Sequence, residues 1–514
     1  FQSVKILDPT VIQQSFLCNI YRMASPMPIR SLNILGVGYV RHLMDAGHEV
    51  TYVTPYPLKN KPEANYTQID LSSTHLNLLA EEDSMNIGYL IKQIASEDGE
   101  IEYIQANSAE AAEITFKNKE MLALLNEPSL KFDVVICDFI ETEILSAYYD
   151  CPMIWSYSLG SHWPTLRLID EATNPAYATD YLSSAIPPFH SMSQRVKKLW
   201  IQAQWFKTLP REKGFYEKFL TPLFLKKNKA LPDYNELIYN ASLVLSNDFI
   251  GNGPITSVPQ NFKFIGGYHI ETPTKPLSYE LKTLLDKAEH RFIYFSMGST
   301  WRSKDIPKHV TKGLLDIFAN LKQTVIWKYE DVLPNLPQNV HIIQWAPQQS
   351  ILAHPKCLFF ITHGGLLSTI ESVHFGIPTI GIPLYFDQFI NINRAVLFGR
   401  TIKVGLTLNL VEDLRVAIQK MIQDPTYKQQ ATKLSQIYHD RLVSPGKELV
   451  HWVEHVVKTR GAPHLRSPAS LMPWWEKMYL DIIFVILCFV LSIRYFYKTY
   501  FYVNTKVYSQ KKKI

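Results

Sequence analysis

Trp345, Gln348, His363, Ser368, Glu371, Asp387 and Gln388 stand in one short stretch, with Gly364 and Gly365 inside it and Pro378 and Pro383 near its end. His363 follows the apolar, strand-like run Cys357–Ile361. Open α/β sheets bind ligands at the carboxyl ends of their strands. Gly364 and Gly365 carry no side chain, so a ligand can reach the backbone there. The helical pattern that begins at Leu366 offers free N–H groups and a positive dipole end, which suits a phosphate. Ser368 falls in its first turn and adds a hydroxyl. Glu371, three residues on, shares the face of Ser368 and can accept both hydroxyls of a ribose. Trp345 gives a flat face for a base. Asp387 and Gln388 offer an acceptor and a mixed group for sugar hydroxyls. A single His-Gly-Gly is usually a turn, and a single Trp before Ala-Pro is usually core. The ordered set spells a site for a nucleotide diphosphate sugar.

Two α/β series must position these groups. The first has a helical period through Ile34, Leu35, Val37, Val40, Leu43 and Met44, then strands at Val50–Val53, Val134–Cys137, Met153–Trp155 and Leu243–Ser246. Ile20–Ala24 is a poor first strand because Arg22 interrupts it. Residues 160–230 carry many aromatics and prolines and read as helices and loops lining an apolar cleft. Gly and Pro mark a linker over 267–278. The second series has strands at Phe292–Phe295, Val325–Lys328, His341–Ile343, Cys357–Ile361 and Pro378–Ile382, with helices at Pro307–Leu321 and Leu366–Phe375. The expected domains are 1–266 for an acceptor and 279–445 for the donor. A returning segment (446–478), a membrane helix (479–502) and a basic tail (503–514) follow.

The net charge is +5 over 514 residues, yet 494–514 alone holds six cations and no acid. A near-neutral body excludes nucleic acid as the natural partner. The basic tail suits an anionic membrane surface. Ile482–Leu491 is continuously apolar, flanked by Trp474, Trp475 and Tyr479 on one side and Tyr495, Tyr497, Tyr500 and Tyr502 on the other. That pattern predicts one membrane span, with a buried C-terminal helix as the other reading. The positive-inside rule puts the tail in the cytosol and the body in the lumen. Sequons at Asn65 and Asn240 agree with this. Lys511 and Lys512 near the terminus resemble a dilysine signal of the endoplasmic reticulum membrane. Residues 1–25 hold no signal-peptide core, so a leader has been removed or the start is incomplete. The five cysteines form no metal or disulfide pattern.

The stretch Trp345…Gln348…His363-Gly364-Gly365…Ser368…Glu371…Asp387-Gln388 resembles the signature of the UDP-glycosyltransferases, with Phe359 atypical in it. Asn33–Gly36, Tyr39–Leu43, Ala46–Thr51 and Ile154–Ser158 resemble insect members most. The resemblance implies a GT-B fold, two Rossmann-like domains facing a cleft, with inverting transfer and no metal or other cofactor. It implies that Trp345 stacks uracil and Gln348 contacts the uridine. His363 and Ser368 would bind the diphosphate, Glu371 the ribose, and Asp387 and Gln388 the sugar, usually glucose. Ser299 resembles a phosphate-contacting Gly-Ser, or is an ordinary strand-end turn. Oligomers with itself or a relative stay open.

Family members take the acceptor proton with a histidine after Ser in the first N-terminal loop, oriented by an aspartate. Asp138 matches the aspartate, or simply caps its strand. Ser31 is followed by Leu32, which occupies the histidine's place at the family's spacing from Gly47-His48. His42 lies ten residues further on and is no substitute. Leucine cannot accept a proton, and losing a general base typically costs about 100- to 10,000-fold in rate. Two functions therefore stand open. One is a UDP-hexose transferase acting on small lipophilic acceptors; the other is a non-catalytic UDP-sugar-binding homologue that modulates a partner.

Overall fold

The computed structural model describes residues 19–23, 30–60, 64–75, 111–127, 129–138, 144–169, 191–253, 257–298, 303–468 and 472–511. Two wholly parallel sheets organise them. The first runs β3-β2-β1-β4-β5-β6-β7, and the second β10-β9-β8-β11-β12-β13. The strands of the first sheet are β1 (Asn19–Met23), β2 (Glu49–Thr54), β3 (Tyr66–Asp70), β4 (Val134–Cys137), β5 (Met153–Tyr157), β6 (Leu243–Ser246) and β7 (Phe262–Phe264). Those of the second are β8 (Phe292–Ser296), β9 (Thr324–Lys328), β10 (Val340–Ile343), β11 (Cys357–Thr362), β12 (Thr379–Gly381) and β13 (Thr401–Lys403). The helices that matter below are α1 (Arg30–Asp45), α2 (Met192–Lys226), α3 (Lys308–Ala319), α4 (Leu366–His374), α5 (Gln388–Leu397), α6 (Pro445–Lys458) and α7 (Leu480–Lys511).

The central strands are apolar on both faces because helices cover both. Along β4, Val135 and Cys137 enter one core while Val134 and Ile136 enter the other. β8 and β11 divide the same way: Ile293, Phe295, Phe359 and Ile361 on one side, Phe292, Tyr294, Cys357 and Phe360 on the other. Phe359, unusual by resemblance, is fully buried in the core shared with Val310 and Leu314 of α3.

Strand order reverses between β1 and β4 in one sheet, and between β8 and β11 in the other. Such switch points open crevices at the carboxyl edge. Asp138 directly follows β4, and His363 directly follows β11.

Several expectations change. β1 forms despite Arg22, pairing with β2 and β4. Residues 192–226, in the stretch expected to hold helices and loops, form one helix of 35 residues, opened by a Ser191–Gln194 capping box. Its second half contains Pro210 and Pro222, which in sequence suggest breaks where the helix runs on. Residues 170–190 of the expected cleft lie outside the described residues.

α6 follows the second sheet in the chain, yet its Leu449, Val453 and Val456 sit in the core of the first, beside Leu35, Tyr39 and Leu43 of α1. α7 contains Leu480–Asn504, a stretch of 25 residues whose most apolar 18-residue window has mean hydropathy 2.1 and no burial, long and apolar enough to cross a membrane.

Candidate functional site

The imidazole of His363 is clasped by two glycines. A Cβ on Gly298 would lie 2.5 Å from Cε1, and one on Gly365 would lie 2.6 Å from Nε2. Gly298 also has φ +77°, where side chains are strained. Burial, aided by the nearby Lys328 ammonium, lowers the His363 pKa to about 4. The ring is therefore neutral at neutral pH, able to donate through one nitrogen and accept through the other. Its Nδ1 is buried and finds no partner among the described residues. Next to it α4 begins with Gly365 as its N-cap, and no side chain caps it. Its first N–H groups stay available for an anion. Lys328, at the end of β9, donates to the Gly298 carbonyl at 2.7 Å and pairs with Glu330. A cation, a neutral imidazole and a helix start thus share one strand-end edge.

Behind that edge lies a polar network. Gln348 Nε2 donates to Ser368 Oγ (2.9 Å) and Glu371 Oε2 (2.5 Å), while its Oε1 accepts from the Tyr294 hydroxyl (3.2 Å). Glu371 and Ser368 are both buried. Trp345 is 55% exposed. The Arg30 guanidinium of α1 lies 5.1 Å from the Trp345 ring centroid and Lys328 Nζ lies 5.8 Å from it, both within cation–π range. The start of α1 therefore faces the indole across the cleft.

Asp387 and Gln388 start α5. The Gln388 oxygen accepts from the N–H groups of Leu384 (2.9 Å) and Tyr385 (3.3 Å), so it shapes the loop before it. Asn391 Nδ2 donates to Asp387 Oδ2 (2.7 Å) and to the Gly364 carbonyl (3.0 Å), locking the two loops together. Burial raises the Asp387 pKa to about 6, against the Asn391 bond and the Arg394 charge. Arg394 in turn meets Asp248 of the first half at 3.6 Å, with both side chains buried.

On the facing sheet Asp138 is buried at the end of β4. Leu32 lies in the first turn of α1 and packs into the core with Leu35 and Tyr39. His42 is turned away: its Nε2 lies 2.8 Å from the Tyr268 carbonyl, in the linker.

The model of the family described as "UDP-glucoronosyl and UDP-glucosyl transferase" matches residues 31–514. UDP-glycosyltransferase UGT5 of Dactylopius coccus is 31% identical over 488 residues, 90% of either chain. Human UDP-glucuronosyltransferase 1A1 is 30% identical over 497 residues, covering 89% of this chain and 86% of its own. The chain belongs to the UDP-glycosyltransferase family. Solved structures agree on the fold. The glycotransferase of kitacinnamycin superposes with a TM-score of 0.56 at 17% identity, covering 85% of this chain and 98% of its own. Os79 from O. sativa in complex with UDP gives 0.53 at 16%, covering 85% and 99%. At such identities the likeness carries the fold alone, and that fold is GT-B.

In this UDP-glycosyltransferase, Trp345, Gln348, His363, Gly365, Ser368, Glu371, Asp387 and Gln388 all lie on or beside the carboxyl edge of the second sheet. Ser299 lies outside the described residues. Lys328 was missed, because a lysine ending a strand is ordinary in sequence. Its signal is positional, since β9 neighbours β8. Gln388 was read as a sugar ligand, but its oxygen is held by Leu384 and Tyr385, leaving only its amide nitrogen for that role.

Proposed function

We propose that this UDP-glycosyltransferase transfers a hexose, glucose first, from its UDP ester to a small lipophilic acceptor with inversion, and that Leu32 slows it. The observation that supports donor binding is the Gln348–Ser368–Glu371 network beside His363 and the uncapped start of α4. On this reading Trp345 stacks uracil and Gln348 contacts the uridine. Glu371 takes the ribose diol, and His363, Ser368 and the α4 N–H groups take the diphosphate. Asp387, with the Gln388 amide, takes the sugar.

In a single displacement the acceptor oxygen bonds to the sugar C1 as the C1–O bond to the β-phosphate breaks, which inverts that carbon. The leaving electron pair stays on the phosphate, where N–H donors and the Lys328 charge stabilise it. The acceptor's proton needs a destination. Asp138 follows β4 at the β1/β4 switch point, and Leu32, in the place where the resemblance expects a histidine, offers no acceptor for that proton. Acceptors that ionise readily, phenols and thiols, are therefore the favoured class. Leu32→His should raise turnover of a phenol with UDP-glucose at least tenfold with UDP affinity unchanged; no change in turnover sinks the missing-base argument.

The other reading, a UDP-sugar-binding homologue without turnover, rests only on Leu32 being unable to accept a proton. Saturable product formation by the unaltered chain excludes it. On either reading the proposal extends to a body in the lumen of the endoplasmic reticulum and a basic tail in the cytosol, supported by the apolar α7 and the cations that follow it.

A further inference from the structure

Glu371 is buried, and its two carboxylate oxygens are held from different sides. Gln348 donates to Oε2 at 2.5 Å, and Gln349 Nε2 donates to Oε1 at 3.0 Å. Gln349 is itself fixed at its other end. Its Oε1 accepts from the Glu271 N–H at 3.0 Å, and its Nε2 also reaches the His269 carbonyl at 3.4 Å. These bonds fix which end of the amide faces Glu371, so Gln349 cannot turn its oxygen there without breaking them. The fully buried ring of His269 brings Nε2 to 3.5 Å from the same Oε1.

Residues 268–271 are gripped from the first half as well. Arg41 of α1 donates to the Tyr268 carbonyl at 2.9 Å and meets Glu271 at 3.6 Å, and His42 contacts the Tyr268 carbonyl. The linker is thus a strap running from α1 to one oxygen of Glu371.

We infer that Gln349, with His269, is a positioning residue for ribose recognition: tied to the linker backbone, it sets the rotamer in which Glu371 meets the 2′- and 3′-hydroxyls. This rests on the proposal that Glu371 holds the ribose. A carboxylate that accepts two hydroxyls must lie in one plane, and a buried one without donors would turn toward whatever polar group it can find. Gln349 removes that freedom without touching the nucleotide.

The test compares UDP with 2′,3′-dideoxy-UDP by titration calorimetry on the full-length protein in nanodiscs. The native chain should prefer UDP. Gln349→Met should cut that preference roughly tenfold, the worth of one hydrogen bond to a charged group, with dideoxy-UDP affinity unchanged within about threefold. Gln349→Asn and His269→Asn should cut it less, and they read the same quantity if the Met variant does not fold. An unchanged preference, or equal weakening of both ligands as a general packing defect would give, overturns the positioning role. Glu371→Gln separates the premises. If it abolishes the preference while the Gln349 variants keep it, the ribose reading stands and the positioning role falls. If it leaves the preference intact, both fall.

Discussion

A histidine that meets a diphosphate is easily taken for a cation, but His363 is held near pKa 4 by burial and by Lys328. On the proposed reading it serves, neutral, as a hydrogen-bond donor, and the positive charge nearby belongs to Lys328. His363→Ala should weaken UDP binding roughly tenfold or more, while His363→Gln keeps a neutral donor and much of the affinity. The ratio of native to Gln-variant affinity should stay constant between about pH 6.5 and 8.5, and calorimetry across that range checks it. A ratio that falls with rising pH would mean the ring binds as a cation. Asp387 behaves in the opposite sense. Its folded pKa, about 6, lies above its ordinary value of 3.8. Between those values the native state holds a proton the unfolded state has lost, so stability falls as pH rises through the window. Asp387→Asn should therefore melt higher than the native chain at pH 7 and lose its preference for UDP-glucose over UDP. In the native chain that preference should shrink as pH drops from about 7 to 5, because a protonated carboxyl is a poorer acceptor for sugar hydroxyls. What could be read from sequence at this scale was residue type at fixed spacing: His363 before two glycines, Glu371 three after Ser368. Gln349 and His269 escaped because their work is tertiary. They reach Glu371 across 22 and 102 positions of chain, Gln349 by a hydrogen bond and His269 by a 3.5 Å approach.

Elements matter here by where they return. α6 leaves the second half and lays Leu449, Val453 and Val456 into the first core, so two regions distant in sequence share one apolar face. Leu449 is fully buried. Leu449→Ala should cost about 2–5 kcal/mol of stability, read from urea unfolding, with UDP affinity unchanged because the donor edge lies in the other sheet. A loss of UDP binding in folded protein would show that α6 does more than close the core. The central strands were legible because their apolar runs are continuous, as strands covered on both faces require. β3, β7 and β13 were not. They are edge or near-edge strands of three to five residues, and β3 reads Tyr-Thr-Gln-Ile-Asp, too polar to announce itself. β1 carries Arg22 and forms all the same, since β2 and β4 supply ladders on both its sides. Tertiary pairing overrides a weak local signal there. The unbroken length of α2 was not legible for the reverse reason, two prolines that the fold tolerates.

At the scale of the molecule, the two halves are joined by a buried ion pair, Asp248–Arg394, by the strap at 268–271, and by α6. Among the described residues, one exposed helix that follows the GT-B body, α7, is long and apolar enough to cross a membrane. With α7 as the proposed anchor, the two sequons can decide which side of the membrane holds the body, and they are unequal. Asn65 is exposed, with φ +57°, just before the edge strand β3. Asn240 has its amide oxygen bound to Arg466 at 2.6 Å, and Ser242 of its sequon is fully buried. An oligosaccharide is attached to an accessible amide nitrogen in the lumen. Asn65 should therefore carry a glycan in the mature protein, and Asn240 little or none. Glycosidase treatment should shift the native chain's mobility, and Asn65→Gln should abolish the shift while Asn240→Gln keeps it. On the proposed topology, the six positive charges of 494–514 face the cytosolic leaflet, and an antibody to residues 503–514 should reach its epitope in sealed microsomes. A chain with no glycan and a protected tail would turn the topology over, and the acceptors would then have to be sought among cytosolic compounds.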